Sequence, residues 1–228
     1  MPVNSNLRNG ILHSLPAREF KGISADLRPV LLPRDATVLD PGERNEYIYF
    51  PTDSVISVLG DTGEGGSVEV WAVGNEGAAG MSTLFGRTKP FRGVVQVPGG
   101  ALMAQASALR RHFQKGGAFH DALLRYYHYL LVQISCLGIC NNNHGIEQRF
   151  TRWLLMMQDR IGSPELRFTQ DAIAAVLGTR RATISVAAAA LQSAGLISYT
   201  PGSITIRSRK RLLNAACRCY KVIRSAIG

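Results

Sequence analysis

Short runs of apolar or alternating residues fill the first 111 residues of the chain, and clusters of Gly, Pro, Asp and Asn separate them. Many short strands at regular spacing favour a β-sandwich or jelly roll. Short helices are predicted ahead of the strands, over 14–24 and on to Leu27. The predicted strands are 30–32, 36–39, 47–50, 55–59, 68–73, 94–97 and 101–104.

From residue 108 to about 161 the pattern changes to helical spacing, with apolar residues every three or four positions. A seam of this length favours a helix over 112–146 that pairs with the same helix of a second copy, although an intramolecular core would give the same pattern. A second helix, over 146–160, precedes the breaking sequence Gly162-Ser163-Pro164. The seam consists of Phe119, Leu123, Tyr126 or Tyr127, Leu130, Ile134, Leu137 and Ile139 or Cys140.

The segment 168–206 has the pattern of two short helices joined by a glycine and followed by a hairpin. The Thr169 hydroxyl is suited to cap the free N–H groups of a helix that starts at Gln170, and Asp171 complements the positive end of that helix. Gly178 supplies the permissive backbone that ends this helix and begins a turn. Its apolar stripe consists of Ala172, Ile173, Val176 and Leu177.

The next helix is predicted to start at Thr179 or Arg180 and to end before Gly195, over 180–194. One face carries Ile184, Ala187, Ala188 and Leu191, which leaves the other face for contacts outside the domain. Two β-prone runs, 196–199 and 204–206, then flank a turn at 200–203 and predict a small hairpin. The outward face consists of Arg181, Ala182, Ser185, Val186 and Ala189. This order of elements is typical of a winged helix-turn-helix, and an ordinary α/β subdomain is the alternative.

The positive charge of the chain is concentrated towards its C-terminus. The net charge is +10, and residues 147–228 hold 13 lysines and arginines against 4 acidic residues. Cationic side chains that neutralise DNA phosphates release counterions, so this distribution is typical of nucleic-acid binding. A solvated basic face is the alternative, and the helix-turn-helix pattern disfavours it.

Length and composition indicate a globular protein of two modest domains, with 228 residues of which 46% are hydrophobic. No window has the uninterrupted apolar residues of a membrane span, and the N-terminus lacks a signal core, so we expect no membrane partner and a cytoplasmic location. The four cysteines form two close pairs in predicted helices. That layout is poor for disulfides and is consistent with a reducing compartment.

Together, the β-rich N-terminal region, the long central helix and the C-terminal winged helix-turn-helix resemble the Crp/Fnr family of bacterial transcription regulators. The sequences Arg149-Phe150-Thr151-Arg152-Trp153-Leu154-Leu155 and Cys217-Arg218-Cys219-Tyr220 resemble one branch of that family whose effector is generally not known. The resemblance is most specific at Phe168-Thr169-Gln170-Asp171, Ala174, Leu177-Gly178, Arg181, Thr183, Leu191, Gly195-Leu196-Ile197, Gly202 and Ile204.

The resemblance implies an α+β chain in three parts. These are an N-terminal β jelly-roll sensor domain of the cyclic-nucleotide-binding type over 1–111, a central dimerisation helix over 112–146 and a C-terminal winged helix-turn-helix domain over 147–228. It also implies a homodimer that binds an inverted-repeat operator in double-stranded DNA with its two recognition helices in successive major grooves. RNA polymerase and an unidentified small-molecule effector are the other expected partners.

Within the DNA-binding domain the resemblance assigns individual roles. Arg181 matches the family arginine that reads guanine through O6 and N7. Thr169, Gln170, Arg180 and Thr183 match positions that hold phosphates, and Thr179 and Ser185 complete the expected DNA-binding set.

Two positions on the recognition helix depart from the best-known family members. Ala182 and Val186 stand where those members have a glutamate and a second arginine. Small apolar side chains can instead contact a thymine methyl group, so we expect a different operator.

The sensor region corresponds to 74–93, where cyclic-nucleotide-binding members hold the cyclic phosphate. Gly77 and Gly80 are retained and Arg92 aligns with the phosphate-binding arginine, but Ala78 stands at the ribose-binding glutamate and Gly93 at the serine. Arg92 is either an anion-binding residue or a structural one. We therefore expect no tight binding of cyclic AMP.

Metal, haem and enzyme hypotheses receive little support from the sequence. Cys136 and Cys140 lie one helical turn apart, with His128 and His144 further off, but a four-coordinate site needs more ligands. No cysteine precedes Cys136, unlike in the iron-sulfur members. We expect no cofactor, although haem or a metal stays open. The alternative function is a ligand- or metal-binding jelly-roll module, or an enzyme, with a vestigial DNA-binding domain. Metal-dependent catalysis is disfavoured because all five histidines fall outside the predicted strands.

Overall fold

The structure is a computed structural model that describes residues 8–42, 46–63, 66–85 and 91–227. The chain divides into two compact units. The first comprises Met1–Gly60 and Trp71–Leu130, and the second comprises Asp61–Val70 and Leu131–Gly228.

The N-terminal region consists of two short helices followed by the seven predicted strands. The first helix lies ahead of the helical stretch predicted from residue 14, and the second ends at Ser24, before Leu27. The helices are α1 (Gly10–His13) and α2 (Ala17–Ser24). The strands are β1 (Arg28–Leu32), β2 (Thr37–Leu39), β3 (Tyr47–Pro51), β4 (Val55–Asp61), β5 (Ser67–Val73), β6 (Arg92–Val97) and β7 (Gly99–Gln105). A 3-10 helix over Met81–Phe85 lies between β5 and β6.

These strands form two sheets, in the orders β1-β7-β3 and β2-β6-β4-β5. The pairs β1/β7, β3/β7, β2/β6 and β4/β6 are antiparallel. Phe50 on β3, Ile56 on β4 and Val95 on β6 are fully buried. Both sheets thus contribute to one core, in which a buried side chain of this size stabilises the fold by about 1.5–3 kcal/mol. The predicted β jelly-roll class is confirmed.

The central helical region is divided in two. Helix α3 spans Ala106–Gln114, and α4 spans Ala118–Asn143. Gly116 and Gly117, with φ of 72° and 90°, separate the two helices. The sequence predicts a single helix over 112–146, whereas α4 begins at Ala118 and ends at Asn143. Along α4, the seam residues Phe119, Leu123 and Tyr126 are buried within the chain itself, so they form the intramolecular core that the same pattern allows and not a free dimer surface.

Over its described residues, the second unit contains five helices after α4 and a small sheet. The elements are α5 (Ile146–Ile161), β8 (Glu165–Leu166), α6 (Gln170–Val176), α7 (Arg181–Ser193), β9 (Ile197–Thr200), β10 (Ser203–Ile206), α8 (Arg209–Ala215) and α9 (Arg218–Ser225). The strand order in the sheet is β8-β10-β9. Helix α5 contributes to the core, because Phe150, Trp153 and Leu154 are buried there and the Trp153 ring packs 4.8 Å from that of Phe168.

Within the described ranges, no single helix has the length and apolar character needed to cross a membrane. One bent pair of helices, α6 with α7, meets that length and composition test when the two are taken together.

Candidate nucleic-acid interface

Helices α6 and α7 are joined by a tight turn that sets them at 106° to each other. The Thr169 hydroxyl oxygen accepts the Ala172 N–H at 3.2 Å, so the predicted N-cap of α6 is present. Gly178 has a φ of 58°, a left-handed conformation that a Cβ would disfavour. The crossing angle lies within the range typical of DNA-binding helix-turn-helix motifs, about 90–120°.

The two faces of α7 differ sharply in exposure. Ile184, Ala187, Ala188 and Leu191 are buried, and they pack α7 against the rest of its unit. The opposite face is exposed and includes Val186, whose side chain is 70% accessible. One exposed apolar side chain is not itself evidence of a binding surface, but Val186 lies on the same accessible face as Arg181 and Ser185. The exposed face consists of Arg181, Ala182, Ser185, Val186 and Ala189.

The predicted phosphate-contacting residues gather around the first turns of α6 and α7. Arg180 is the N-cap residue of α7 and is exposed, while Thr179 and Thr183 are half-buried. Gln170 is the first residue of α6, next to the exposed Thr169. The first N–H groups of a helix have no acceptor within it, and the helix dipole makes this end positive. Both features favour an anionic partner such as a DNA phosphate.

Arg181 makes one weak ion pair. Its Nε lies 3.8 Å from Asp171 Oδ2, and both side chains are about 70% accessible (68% and 71%). A pair this long and this exposed contributes little to stability, because water screens both charges. The guanidinium can therefore leave Asp171 for another partner at little cost.

Two arginines outside α6 and α7 hold the motif in place, and the sequence patterns did not identify this role. Arg149 on α5 donates a hydrogen bond to the Leu177 carbonyl oxygen at the end of α6. Arg211 on α8 donates to the Ala194 carbonyl oxygen at the end of α7 at 2.7 Å. Each guanidinium satisfies a carbonyl that a helix end leaves without an internal partner.

Arg209 anchors the start of α8 to α5. Its guanidinium donates to Gln158 Oε1 and Asp159 Oδ1, both at 2.6 Å, and to the Tyr220 hydroxyl at 2.7 Å. Burial and the hydrogen bond to Asp159 raise the pKa of Tyr220 above its usual value. The charge of Arg209 is therefore engaged inside its unit rather than free for DNA.

The residues predicted for effector binding are mostly buried against protein. The Tyr126 ring occupies the space that a Cβ on Gly77 would need, and Leu39 does the same at Gly93. Ala78 is buried, and a Cβ on Gly80 would lie 2.8 Å from the Tyr47 carbonyl oxygen. Arg92, by contrast, is exposed on β6, opposite Leu59 of β4. Residues 86–90 of this region lie outside the described residues.

The cysteines do not group as the sequence suggested. Cys140 and His144 lie beside Cys217 and Cys219, and the four ligand atoms are all within 4.8 Å of one another. Cys136 and His128 are not part of this group. A hydrogen bond from the Cys217 thiol lowers the pKa of Cys140 to about 4. The sequence pattern did not reveal this cluster, because Cys140 and Cys217 are separated by 77 residues.

The sequence comparisons place the DNA-binding region in a known family. Residues 148–215 match the family model of the Crp-like helix-turn-helix domain. A search of curated proteins found no match to the chain.

Solved structures described as Crp/Fnr-family or related regulators share the fold of this chain. A protein described as a Crp/Fnr-family regulator from Eubacterium rectale aligns with a TM-score of 0.68 and 16% identity, over 88% of this chain and 94% of that chain. FixK2 from Bradyrhizobium japonicum aligns with a TM-score of 0.73 and 16% identity, over 84% and 98%. The c-di-GMP responsive regulator CLP of Xanthomonas campestris aligns with a TM-score of 0.69 and 14% identity, over 85% and 100%. Residues 148–215 are therefore similar to the Crp-like helix-turn-helix domain, and the chain has the fold of these solved structures.

Proposed function

We propose that a homodimer of this chain regulates transcription by binding an inverted-repeat operator, with α7 of each copy in the major groove. The observation that carries the proposal is the exposed face of α7, where Arg181, Ser185 and Val186 are accessible on a helix whose other side is buried. A major groove admits one α-helix and presents a distinct donor and acceptor pattern for each base pair. Arg181 would read a guanine, and Val186 a thymine methyl group.

Charge supports the same surface. Residues 147–228 carry 9 of the 10 net positive charges of the chain. Thr169, Gln170, Thr179, Arg180 and Thr183 surround the first turns of α6 and α7, where they would hold phosphates and fix the register of the helix on the duplex. Binding of this kind weakens steeply with salt because counterions are released.

The central helix supports the homodimer. Leu124, Leu131 and Gly138 recur at intervals of seven along α4, and Leu131 is 65% accessible. An apolar stripe at heptad spacing is buried when two copies of a helix pack side by side. Two copies would then present their α7 helices to half-sites about 34 Å apart, one turn of the duplex.

For the N-terminal region we propose a regulatory role without tight binding of cyclic AMP. The alanine at 78 is buried and supplies no carboxylate for a ribose, and the backbone at Gly77 is covered by Tyr126. An unidentified small molecule is the proposed effector, with Arg92 as a cationic residue that could contact it because Arg92 is exposed on β6. Isothermal calorimetry with cyclic AMP would contradict this part by finding micromolar affinity.

We further propose that the chain has no catalytic role and acts in the cytoplasm, with RNA polymerase as its protein partner. The five histidines lie at His13, His112, His120, His128 and His144, none of them on a described strand. A catalytic metal site of the jelly-roll kind would draw its histidines from neighbouring strands.

Footprinting on the upstream region of the chain's own gene tests the proposal, at several stated salt concentrations. We expect protection of two symmetric half-sites and a dimer by light scattering. The variant Leu131→Asp places a charge on the exposed stripe of α4, and it should reduce both dimer formation and protection. Protection of a single half-site by a monomer, or equal binding to every duplex, would contradict the dimeric, sequence-reading mode.

A further inference from the structure

A compact cluster of three thiols and one imidazole lies in the second unit, and the DNA-binding role does not use it. Cys140 belongs to the last turn of α4, and His144 follows the end of that helix with its N–H bonded to the Cys140 carbonyl oxygen at 3.1 Å. This spacing of four residues puts both side chains on one face. Cys217 is the N-cap residue of α9, and Cys219 lies in the first turn of that helix.

Two distances within the cluster agree with those between neighbouring ligands of a zinc ion. The Cys140 and Cys217 sulfurs are 3.6 Å apart, and Cys219 Sγ is 3.7 Å from His144 Nδ1. Zn–S bonds of about 2.3 Å and Zn–N bonds of about 2.0–2.1 Å at tetrahedral angles place neighbouring ligand atoms about 3.5–3.8 Å apart. A disulfide would instead bring two sulfurs to about 2.05 Å. All four cysteines are free thiols.

We propose that Cys140, His144, Cys217 and Cys219 bind one Zn²⁺ ion in a tetrahedral Cys3His site. Three thiolates and one imidazole fill all four positions of a zinc ion, and such closed sites are structural rather than catalytic. The three cysteines are buried and His144 is half-buried. The site is therefore largely excluded from water but is partly accessible at His144.

A buried arginine beside the cluster supports this assignment independently. Arg152 on α5 is only 3% accessible, and its guanidinium lies close enough to Cys140 to interact with that sulfur. Its described polar contact is with the Met156 sulfur at 3.3 Å, and its Nε has no hydrogen-bond partner among the described residues. A buried cation is costly unless negative charge lies beside it, and thiolate sulfurs of the cluster supply that charge. Zn²⁺ with three thiolates carries a net charge of −1, which would compensate Arg152.

The ion would fasten the end of α4 to the start of α9. These ligand pairs are separated by more than seventy residues, and a link across a long loop removes conformational freedom from the unfolded chain. Helix α9 has eight residues and packs on α5. A helix this short is marginal without tertiary support, so zinc binding would stabilise the C-terminal segment of this unit.

Metal analysis of the full chain, purified and reconstituted with Zn²⁺ under reducing conditions, tests the site. We expect one zinc per chain in the wild type and a content near zero in Cys217→Ser and Cys219→Ser. Cys136→Ser is the matched control, because Cys136 is also buried on α4 but lies outside the cluster, and this variant should keep its zinc.

A cysteine variant could lose zinc because it misfolds, so Co²⁺ reconstitution of the wild type and one further variant provide tests that do not depend on such a defect. Wild-type protein with Co²⁺ should show thiolate-to-metal charge transfer and the visible bands of tetrahedral cobalt. His144→Cys should still bind one ion with stronger charge transfer, because a cysteine sulfur has a reach from the backbone similar to that of Nδ1. Wild-type protein that stays free of metal, forms a Cys140–Cys217 disulfide under reducing conditions, or loses as much zinc in Cys136→Ser as in Cys217→Ser would overturn the proposal.

Discussion

On α7 the residues proposed to read bases face solvent, whereas in the segment 77–93 most of the residues predicted to bind an effector are packed against protein. Arg181 is 68% accessible and its one ion pair is weak. Gly77, Gly80 and Gly93 instead stand where neighbouring atoms leave no space for a side chain. A residue that resembles the family pattern can therefore serve either to bind a partner or to pack within the fold, and the accessibility of the residue distinguishes these two roles. Each variant below tests which explanation holds at one position.

The largest effect is expected at Gly77. Gly77→Ala adds a Cβ that overlaps the Tyr126 ring, which is itself buried and stacked on Tyr129. Overpacking of this kind costs about 1–3 kcal/mol or more, so the free energy of unfolding should fall by that amount in denaturant titrations. Gly145→Ala is the control, because nothing lies within 4 Å of the added Cβ there.

A second variant shows whether packing is the cause at Gly77. Tyr126→Leu should partly rescue Gly77→Ala, so that the double variant is more stable than the sum of the two single changes predicts. If Gly77→Ala unfolds like the wild type, the packing explanation fails and a role for Gly77 in ligand binding gains support.

Arg181→Ala should show the opposite behaviour, with unchanged stability and weaker DNA binding. Loss of a bidentate contact to guanine costs about 1–3 kcal/mol and relaxes the preference at one base pair per half-site. Fluorescence anisotropy on operator and random duplexes at fixed salt measures both effects.

Arg224→Ala is a matched control for Arg181→Ala. Arg224 is also an exposed arginine with a long ion pair, 3.9 Å from Asp159, but it lies on α9. It should lower operator and random binding alike or not at all. A uniform loss on all duplexes in Arg181→Ala would mean that Arg181 contacts phosphate rather than a base.

Thr169 combines a structural and a proposed functional role, which two substitutions separate. Thr169→Ala removes the cap of the Ala172 N–H and should lower the unfolding free energy by about 1 kcal/mol. Thr169→Asp keeps a capping oxygen and should retain stability, but its negative charge would repel a phosphate and weaken DNA binding. Unchanged DNA affinity in Thr169→Asp would exclude a phosphate contact at this position.

Local patterns predicted most of the elements because their signals lie within a few residues. The seven strands, the Thr169 cap and the Gly178 turn all depend on neighbours in sequence. The separation of α3 from α4 was missed, since Gly116 and Gly117 look like tolerated interruptions until their positive φ is known.

Contacts between distant segments could not be predicted. Cys140 meets Cys217 only because α9 packs on α5, and Gly77 meets Tyr126 across 49 positions. Periodicity assigns a residue to a face of its helix but not to a partner on another element. The sequence therefore identified the outward face of α7, whereas the thiol cluster and the packing role of Gly77 required the fold.

Val186 gives the smallest effect and the sharpest test of how α7 reads DNA. Val186→Ser should change stability by less than about 0.5 kcal/mol, because the side chain is exposed. If Val186 contacts a thymine methyl group, replacing that thymine by uracil in the operator should weaken wild-type binding but leave Val186→Ser binding unchanged. Such non-additivity identifies a direct contact, because independent sites contribute additively. Equal losses from the uracil substitution in both proteins would place the methyl contact elsewhere on α7.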